Sequence, residues 1–235
     1  MILQSSIRPY REAFLRLIYP ASCPLCKGLL EITESGLCAS CGTGMQNAAY
    51  GFEDACSPQR FEFLDTAWSL YPYESPAGEI LSAVKFYRKQ WLIKIFEEAL
   101  SGLAETIRAE TRYAALVPIP IDRTRLFERE FNQAELIAGL VSKPMGVSVK
   151  KILKKVRKTF SQSGLGKRER QINLFQAFCL QNPDAAAGKN FLLIDDIFTT
   201  GATAEEAARL LKKHGARRVD ILTVARTESR KGLAG

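Results

Sequence analysis

The sequence predicts an α/β protein with a central, mostly parallel β-sheet, and a short series of alternating segments supports this. The apolar run 191–194 is too short for a helix but suits a buried strand. Residues 204–213 then have apolar side chains at the spacing of one helix face. A second apolar run, 219–225, completes one right-handed β-α-β unit. Residues 114–121 predict a further strand, whose prolines indicate that it opens into a loop.

The composition is that of an ordinary globular chain, with 46% hydrophobic and 25% charged residues. Its 235 residues suit a small module and one larger domain, which we place at 1–58 and 59–235. The net charge of +8 favours anionic partners. No run approaches the roughly 18–20 apolar residues that cross a bilayer, and charges interrupt the N-terminal segment, unlike a signal peptide. We therefore expect a cytoplasmic protein that is not a transmembrane protein.

Two C-x2-C pairs lie near the N-terminus: Cys23 with Cys26 and, eleven residues later, Cys38 with Cys41. In a reducing compartment, four thiolates at this spacing favour zinc over disulfides. The surrounding segment has few large apolar residues, so a metal would have to supply its folding energy. We predict a structural Zn²⁺ site, with chance pairing or a redox-active thiol couple as the alternatives.

Two adjacent acids, Asp195 and Asp196, follow the first of these strands, at the edge where parallel sheets bind ligands. The loop after them can hold a phosphate, because a glycine allows close backbone approach while amides and hydroxyls donate hydrogen bonds. A sugar phosphate with a vicinal diol fits both halves, although a strand ending in Asp before a Thr-initiated helix also occurs without a ligand. Thr203 and Glu206 have the spacing of a capping box, which predicts that the helix begins there. The loop residues are Thr199, Thr200, Gly201, Ala202 and Thr203.

The run Ile-Asp-Asp-Ile-Phe-Thr-Thr-Gly-Ala-Thr, at 194–203, resembles the phosphoribosyl pyrophosphate (PRPP) signature of type I phosphoribosyltransferases. The resemblance implies a type I phosphoribosyltransferase-like domain. It also implies that Asp195 and Asp196 are catalytic residues that bind the ribose hydroxyls, and that residues 199–203 bind the 5′-phosphate. Mg²⁺ would bind together with PRPP.

A second segment resembles the pyrophosphate loop of the ComF competence family. The loop after the strand at 114–121 contains Arg125 and Arg129, followed by Glu-Phe-Asn-Gln at 130–133. The resemblance assigns both arginines to PRPP binding. ComF members usually have Arg-Gly-Phe-Asn-Gln here, so Glu130 replaces the glycine, which argues against close phosphate approach at that residue but not at the arginines.

Residues 143–170 are the most basic stretch, with ten cations and one acid. Part of it resembles the mobile ComF loop that folds over bound PRPP, while a solvated charged surface is the alternative. The resemblance assigns four residues to this flexible loop: Arg157, Ser161, Gln162 and Arg170.

The resemblance to ComF extends over nearly the whole chain, with a zinc-ribbon module first and the transferase-like domain second. It implies a protein that acts on single-stranded DNA during natural transformation, with other DNA-uptake proteins as candidate partners. Two functions stay open: a binding protein that holds PRPP or a related sugar phosphate, and an active phosphoribosyltransferase (a glycosyltransferase) with an unidentified nitrogenous acceptor. In the first, the bases would stack on Tyr71, Tyr73, Trp91 or Phe160, although we expect Trp91 to be a core residue.

Overall fold

The computed structural model divides the chain into two compact units, residues 1–48 and 49–235. It describes residues 21–31, 33–34, 36–51, 55–56, 61–156, 177–182 and 186–227. The described part of the first unit contains one helix, α1 (Ala39–Ala48), preceded by a tight turn that an antiparallel bridge between Ser22 and Leu29 closes.

The second unit is an alternating α/β domain. Its described elements, in chain order, are β1 (Thr66–Pro72), α2 (Pro76–Tyr87), a 3₁₀ helix (Gln90–Phe96), α3 (Glu97–Glu110), β2 (Ala115–Pro118), α4 (Arg123–Arg129), α5 (Gln133–Met145), β3 (Leu153–Lys155), β4 (Phe178–Leu180), β5 (Asn190–Phe198), α6 (Ala202–Lys213) and β6 (Arg218–Arg226).

The central sheet has four parallel strands in the order β1-β6-β5-β2. Ile194 of β5 is in register with Pro118 of β2 on one side and Leu222 of β6 on the other. The carboxyl ends of these three strands therefore meet at one edge, where ligands of parallel sheets bind. The strands β3 and β4 form a separate antiparallel pair.

Both faces of the sheet are covered, which explains why its strands are continuous apolar runs. On one face, Phe191 and Leu193 of β5 pack with Ala207 and Leu211 of α6 in a shared core cluster. Helix α5 also packs on β2 and β5, and it packs in turn against α3. This two-sided burial fixes β5, and with it the acids at its end.

Two aromatic residues lie elsewhere than expected. Trp91 is 53% exposed, so its predicted core position is wrong, because the 3₁₀ helix buries Leu92, Ile93 and Phe96 instead. Tyr71 is buried in β1 with its ring centroid 5.8 Å from that of Phe96, so it cannot stack on a nucleic-acid base.

Within the described residues, no helix combines the length and the apolar character needed to cross a membrane.

Candidate functional site

The two predicted acids lie inside β5, because this strand continues beyond them to Phe198. The Asp195 carboxylate accepts a 2.9 Å hydrogen bond from the backbone N–H of Asp196. Asp196 is buried, and its Oδ2 lies 2.8 Å from Nζ of Lys85 on α2, in an ion pair rather than an aligned hydrogen bond. Both carboxylates are thus held by contacts within the domain before any ligand arrives.

The electrostatics of the acid pair favour the binding of a hydrogen-bond donor or a cation. Burial raises the pKa of Asp195 to about 7, and the negative charge of Asp196 adds to this increase. The Asp196 amide and the Lys85 ammonium oppose it but do not cancel it. Near neutral pH the pair is therefore ready to accept hydroxyl hydrogens or a cation.

This pKa predicts how stability depends on pH. The folded-state pKa of Asp195 exceeds the value of about 3.9 expected in the unfolded chain, so the protonated acid favours folding. Its contribution is fully present below pH ~4 and is lost as the pH rises through about 7. Asp195→Asn should therefore raise the melting temperature of the ligand-free protein more at pH 8 than at pH 5, measured by circular dichroism.

The matched control for this experiment is Glu105→Gln, on the exposed side of α3. Its melting temperature should follow that of the wild type at both pH values. If Asp195→Asn changes the melting temperature equally at pH 5 and pH 8, the raised pKa of Asp195 is contradicted.

The loop after β5 turns at Gly201, where φ is +74°. A Cβ at this position would lie 2.4 Å from Cε1 of Phe61, so both the backbone conformation and the available space require glycine. The Phe61 ring packs edge-on against Phe198, with centroids 5.5 Å apart. The loop is therefore built for one compact conformation beside the strand end.

The predicted helix start at Thr203 is wrong, since α6 begins at Ala202 with Gly201 as its N-cap. Glu206 pairs with Arg209 at 2.7 Å instead of capping the helix. Thr203 lines the pocket described below, together with Thr199.

Both candidate arginines lie on the short helix α4. Asp122 caps this helix by accepting a 2.9 Å hydrogen bond from the backbone N–H of Arg125. The helix ends at Glu130, which adopts the left-handed conformation, with φ of +68°. Glu130 therefore keeps the backbone shape for which a glycine is suited. Burial lowers the pKa of the Arg129 guanidinium.

The ends of β2 and β5, together with α4 and the start of α6, surround a pocket of about 540 Å³. Six of the predicted site residues line it: Arg125, Arg129, Asp195, Asp196, Thr199 and Thr203. Gly201 lines a small adjoining cavity of about 20 Å³ with Asp195, whereas Thr200 and Ala202 line neither. The predicted flexible-loop residues Arg157, Ser161, Gln162 and Arg170 lie outside the described residues, between β3 and β4.

Four further polar residues line the pocket that the sequence did not single out as ligand-binding: Lys85, Gln133, Lys155 and Thr227. Tyr73, which the sequence suggested as a base-stacking residue, lines it as well. Burial lowers the pKa of Lys155. Gln133, the first residue of α5, is buried, and its Nε2 has no hydrogen-bond partner within the described chain. For two of them the sequence contained a signal, because each lies on the same face of its element as a buried leucine. Lys85 lies four residues after buried Leu81 on α2, and Lys155 lies two residues after buried Leu153 on β3.

The pocket thus contains charges of both signs. The acids lie at the end of β5, while Arg125 and Arg129 of α4 and Lys155 of β3 supply positive charge nearby. A ligand with hydroxyl donors at one end and negative groups at another would match this distribution. To a hard cation the pocket offers two carboxylates, one already paired with Lys85, which fits Mg²⁺ that is also coordinated by ligand phosphates.

The four predicted zinc ligands meet in the first unit. The Sγ atoms of Cys23, Cys26, Cys38 and Cys41 all lie within 4.8 Å of one another, and those of Cys26 and Cys38 are 3.6 Å apart. A zinc tetrahedron with four thiolates has edges of about 3.8 Å, so the cluster fits Zn²⁺ and a zinc ribbon. Among the described residues, it is the only group of three or more possible metal ligands.

Local backbone geometry supports this cluster. The N–H of Cys23 donates to the carbonyl of Gly28 at 2.7 Å, and Lys27 between them is left-handed, with φ of +64°. Burial raises the pKa of the Cys23 thiol, but backbone hydrogen bonds, the largest from Cys38, outweigh burial and lower it to about 6. Hydrogen bonding with Cys38 raises the pKa of Cys41 to about 12. The first knuckle therefore favours a thiolate, as metal binding requires.

Comparison with known proteins is consistent with this geometry. The family described as "Phosphoribosyl transferase domain" matches residues 133–233, which include the acids and the threonine-rich loop. Competence protein ComFC of Bacillus subtilis is 29% identical over 93% of this chain and 89% of its own length. Competence protein F of Haemophilus influenzae is 25% identical over 87% of this chain and 96% of its own length. Over most of its length the chain is similar to competence proteins of the ComF type, and residues 133–233 match the phosphoribosyl transferase domain.

Another relative of the ComF type is DNA utilization protein YhgH of Escherichia coli, which is 25% identical over 90% of this chain and 99% of its own length. Among solved structures, a purine phosphoribosyltransferase from Pyrococcus horikoshii Ot3 aligns with 59% of this chain and 85% of its own, with 19% identity and a TM-score of 0.34. The family match and the sheet topology confirm the predicted phosphoribosyltransferase fold with a mostly parallel sheet.

Proposed function

We propose that this protein is a cytoplasmic ComF-type competence protein that binds PRPP, or a related sugar phosphate, and handles single-stranded DNA during natural transformation. The observation that supports PRPP binding is the pocket that joins the acid pair to the threonine-rich loop and the arginines of α4. The names of its relatives, competence proteins and DNA utilization proteins, support the role in DNA handling.

In the proposed complex, each part of PRPP meets a group of matching chemistry. The vicinal ribose hydroxyls donate to Asp195 and Asp196, and the 5′-phosphate accepts from the backbone and hydroxyls of residues 199–203. The pyrophosphate lies toward Arg125 and Arg129, whose guanidinium groups bind phosphate oxygens in pairs. Mg²⁺ would enter with the pyrophosphate and neutralise part of its charge.

A surface beside this pocket supports nucleic-acid binding. Phe86, Tyr87, Trp91 and Phe127 are all exposed, and we call them the aromatic surface. The ends of α2 and α4 meet, because Arg88, which follows Tyr87, donates to the carbonyl of Glu128, which follows Phe127, at 2.6 Å. Stacking on aromatic side chains contributes about 1–3 kcal/mol per base and tolerates any sequence.

The test of DNA binding uses fluorescence. Trp91 is exposed and Trp68, the second tryptophan, is buried, so quenching by oligo-dT reports on the aromatic surface. We expect Trp91→Ala with Phe127→Ala to weaken oligo-dT binding at least tenfold in an anisotropy assay with labelled DNA. Trp91→Phe, which keeps an aromatic ring, should bind within about threefold of the wild type. Binding that does not weaken with rising salt would contradict backbone contacts by the basic residues.

Active transfer is the second candidate, and the pKa of Asp195 favours it. A carboxylate with a pKa of about 7 can accept a proton at neutral pH as a general base. An acceptor nitrogen would bond to C1 of the ribose, the C1–O bond to pyrophosphate would break with its electron pair leaving on pyrophosphate, and Asp195 would take the nitrogen proton. Pyrophosphate release from PRPP in the presence of nucleobases, above the release without them, tests this function. If no base increases the release of pyrophosphate, the transferase function is contradicted and PRPP binding is the remaining function.

A further inference from the structure

The ion pair of Lys85 joins helix α2 to the acid pair. Lys85 lies in the last turn of α2, and its side chain is only 19% exposed. Its Nζ lies 2.8 Å from Oδ2 of Asp196, and both residues line the pocket. No other ion pair with Asp196 is present in the described part of the chain.

The end of α2 is itself anchored. Arg88, one turn after Lys85, contacts Glu130 Oε1 at 2.7 Å and the carbonyl of Glu128 at 2.6 Å. Both Arg88 and Glu130 are left-handed, with φ of +55° and +68°. The helix that supplies Lys85 is thus attached at its C-terminal end to the helix that supplies the arginines.

Two adjacent carboxylates repel each other and need a nearby positive charge to be ionised together. In many sites a divalent cation provides that charge. Here Lys85 places a positive charge 2.8 Å from Asp196 and partly opposes the increase in the pKa of Asp195. A carboxylate has about four acceptor positions, so pairing with one ammonium leaves others on Asp196 available to hydroxyl donors.

We propose that Lys85 is a built-in counter-ion for the acid pair, which lets the pocket bind the diol of a pentose 5-phosphate without a divalent cation. This inference rests on the proposed function. It separates two ligand classes: PRPP brings a metal with its pyrophosphate, whereas a pentose 5-phosphate without pyrophosphate binds metal-free. Lys85 acts as a positioning residue, since its ammonium contacts the Asp196 carboxylate and both side chains line the pocket.

The experiment is calorimetric titration with ribose 5-phosphate, in EDTA and in Mg²⁺. The wild type is expected to bind with the same affinity, within about twofold, in both solutions. Lys85→Met should lose at least tenfold in EDTA and regain part of that loss in Mg²⁺, because the metal can replace the missing charge. Lys85→Arg should stay within about threefold of the wild type, since it keeps the charge. Lys89→Met, an exposed lysine one turn further on, is the matched control and should bind like the wild type.

Two results would overturn the inference while leaving the proposed function intact. One is a wild type that binds PRPP with Mg²⁺ but requires the metal for ribose 5-phosphate as well. The other is a Lys85→Met variant that binds ribose 5-phosphate in EDTA as tightly as the wild type. A wild type that binds neither compound would overturn the proposed function and this inference with it. The wild-type comparison decides the question even when Lys85→Met does not fold.

Discussion

Simultaneous replacement of Asp195 and Asp196 by Asn is expected to weaken PRPP binding at least hundredfold. Each carboxylate would lose a charge-assisted hydrogen bond to a ribose hydroxyl, which contributes roughly 1.5–3 kcal/mol. Two such losses amount to about 3–6 kcal/mol, or a factor between about 10² and 10⁴ in the dissociation constant. Calorimetric titration of PRPP in Mg²⁺ measures this directly, and Asn preserves the size of each side chain.

The same titration of Glu105→Gln controls for removal of a negative charge elsewhere. Arg125→Gln with Arg129→Gln provides a second comparison, because it should weaken PRPP much more than ribose 5-phosphate, which lacks the pyrophosphate. Melting curves establish that each variant is folded. An affinity for PRPP that is unchanged in the double Asn variant would remove both acids from the binding site.

The sequence predicted those parts of the pocket that are contiguous in the chain. Strand β5, the acids and the threonine-rich loop lie within fourteen residues, from Asn190 to Thr203. Their ligand-binding residue types can therefore be recognised from one short segment. Lys85, Gln133 and Lys155 come from two helices and a strand outside the central sheet, and only tertiary packing brings them into one pocket with Asp195. Their types alone do not distinguish them from surface residues, which is why sequence reasoning did not identify them as ligand-binding.

The start of α6 shows how a tertiary contact overrides a local signal. The spacing of Thr203 and Glu206 predicted a capping box. Instead, the neighbouring acid Glu205 makes hydrogen bonds to a segment that is distant in the sequence. Its carboxylate accepts the backbone N–H groups of residues 62–64 at 2.8–3.0 Å. These three bonds fix the segment that places Phe61 over Gly201, and no pattern in the helix itself could have revealed them.

Glu130 illustrates the opposite case, in which a departure from the family pattern changes less than expected. The glycine at this position in the ComF pattern suggested a left-handed backbone conformation, and the structure has that conformation at a glutamate. A non-glycine residue in the left-handed conformation costs about 1 kcal/mol. The ion pair with Arg88 offsets part of this cost, because it uses the side chain that a glycine lacks. The arginines of α4 therefore still line the pocket.

Removal of zinc is expected to unfold the cysteine unit. The described part of this unit has few buried residues, chiefly Cys23 and Met45, so an apolar core cannot hold it. Structural zinc supplies about 10–16 kcal/mol of apparent binding energy in comparable small sites. We therefore expect purified protein to contain one zinc per chain, and Cys23→Ser with Cys26→Ser to contain none. In that variant, trypsin should cleave rapidly after Lys27, its one site within residues 21–48, while the phosphoribosyltransferase domain persists as a resistant fragment.

The remaining cysteines provide the control, because Cys56 and Cys179 lie outside the cluster. Replacing both by Ser should leave one zinc bound and the proteolysis pattern unchanged. The redox alternative makes a different prediction: all four cluster thiols would react freely with a thiol reagent in the native protein, and metal analysis would detect no zinc. Protection of four thiols, released together by a chelator, would instead be the signature of a single tetrahedral site, since loss of one metal exposes all its ligands at once.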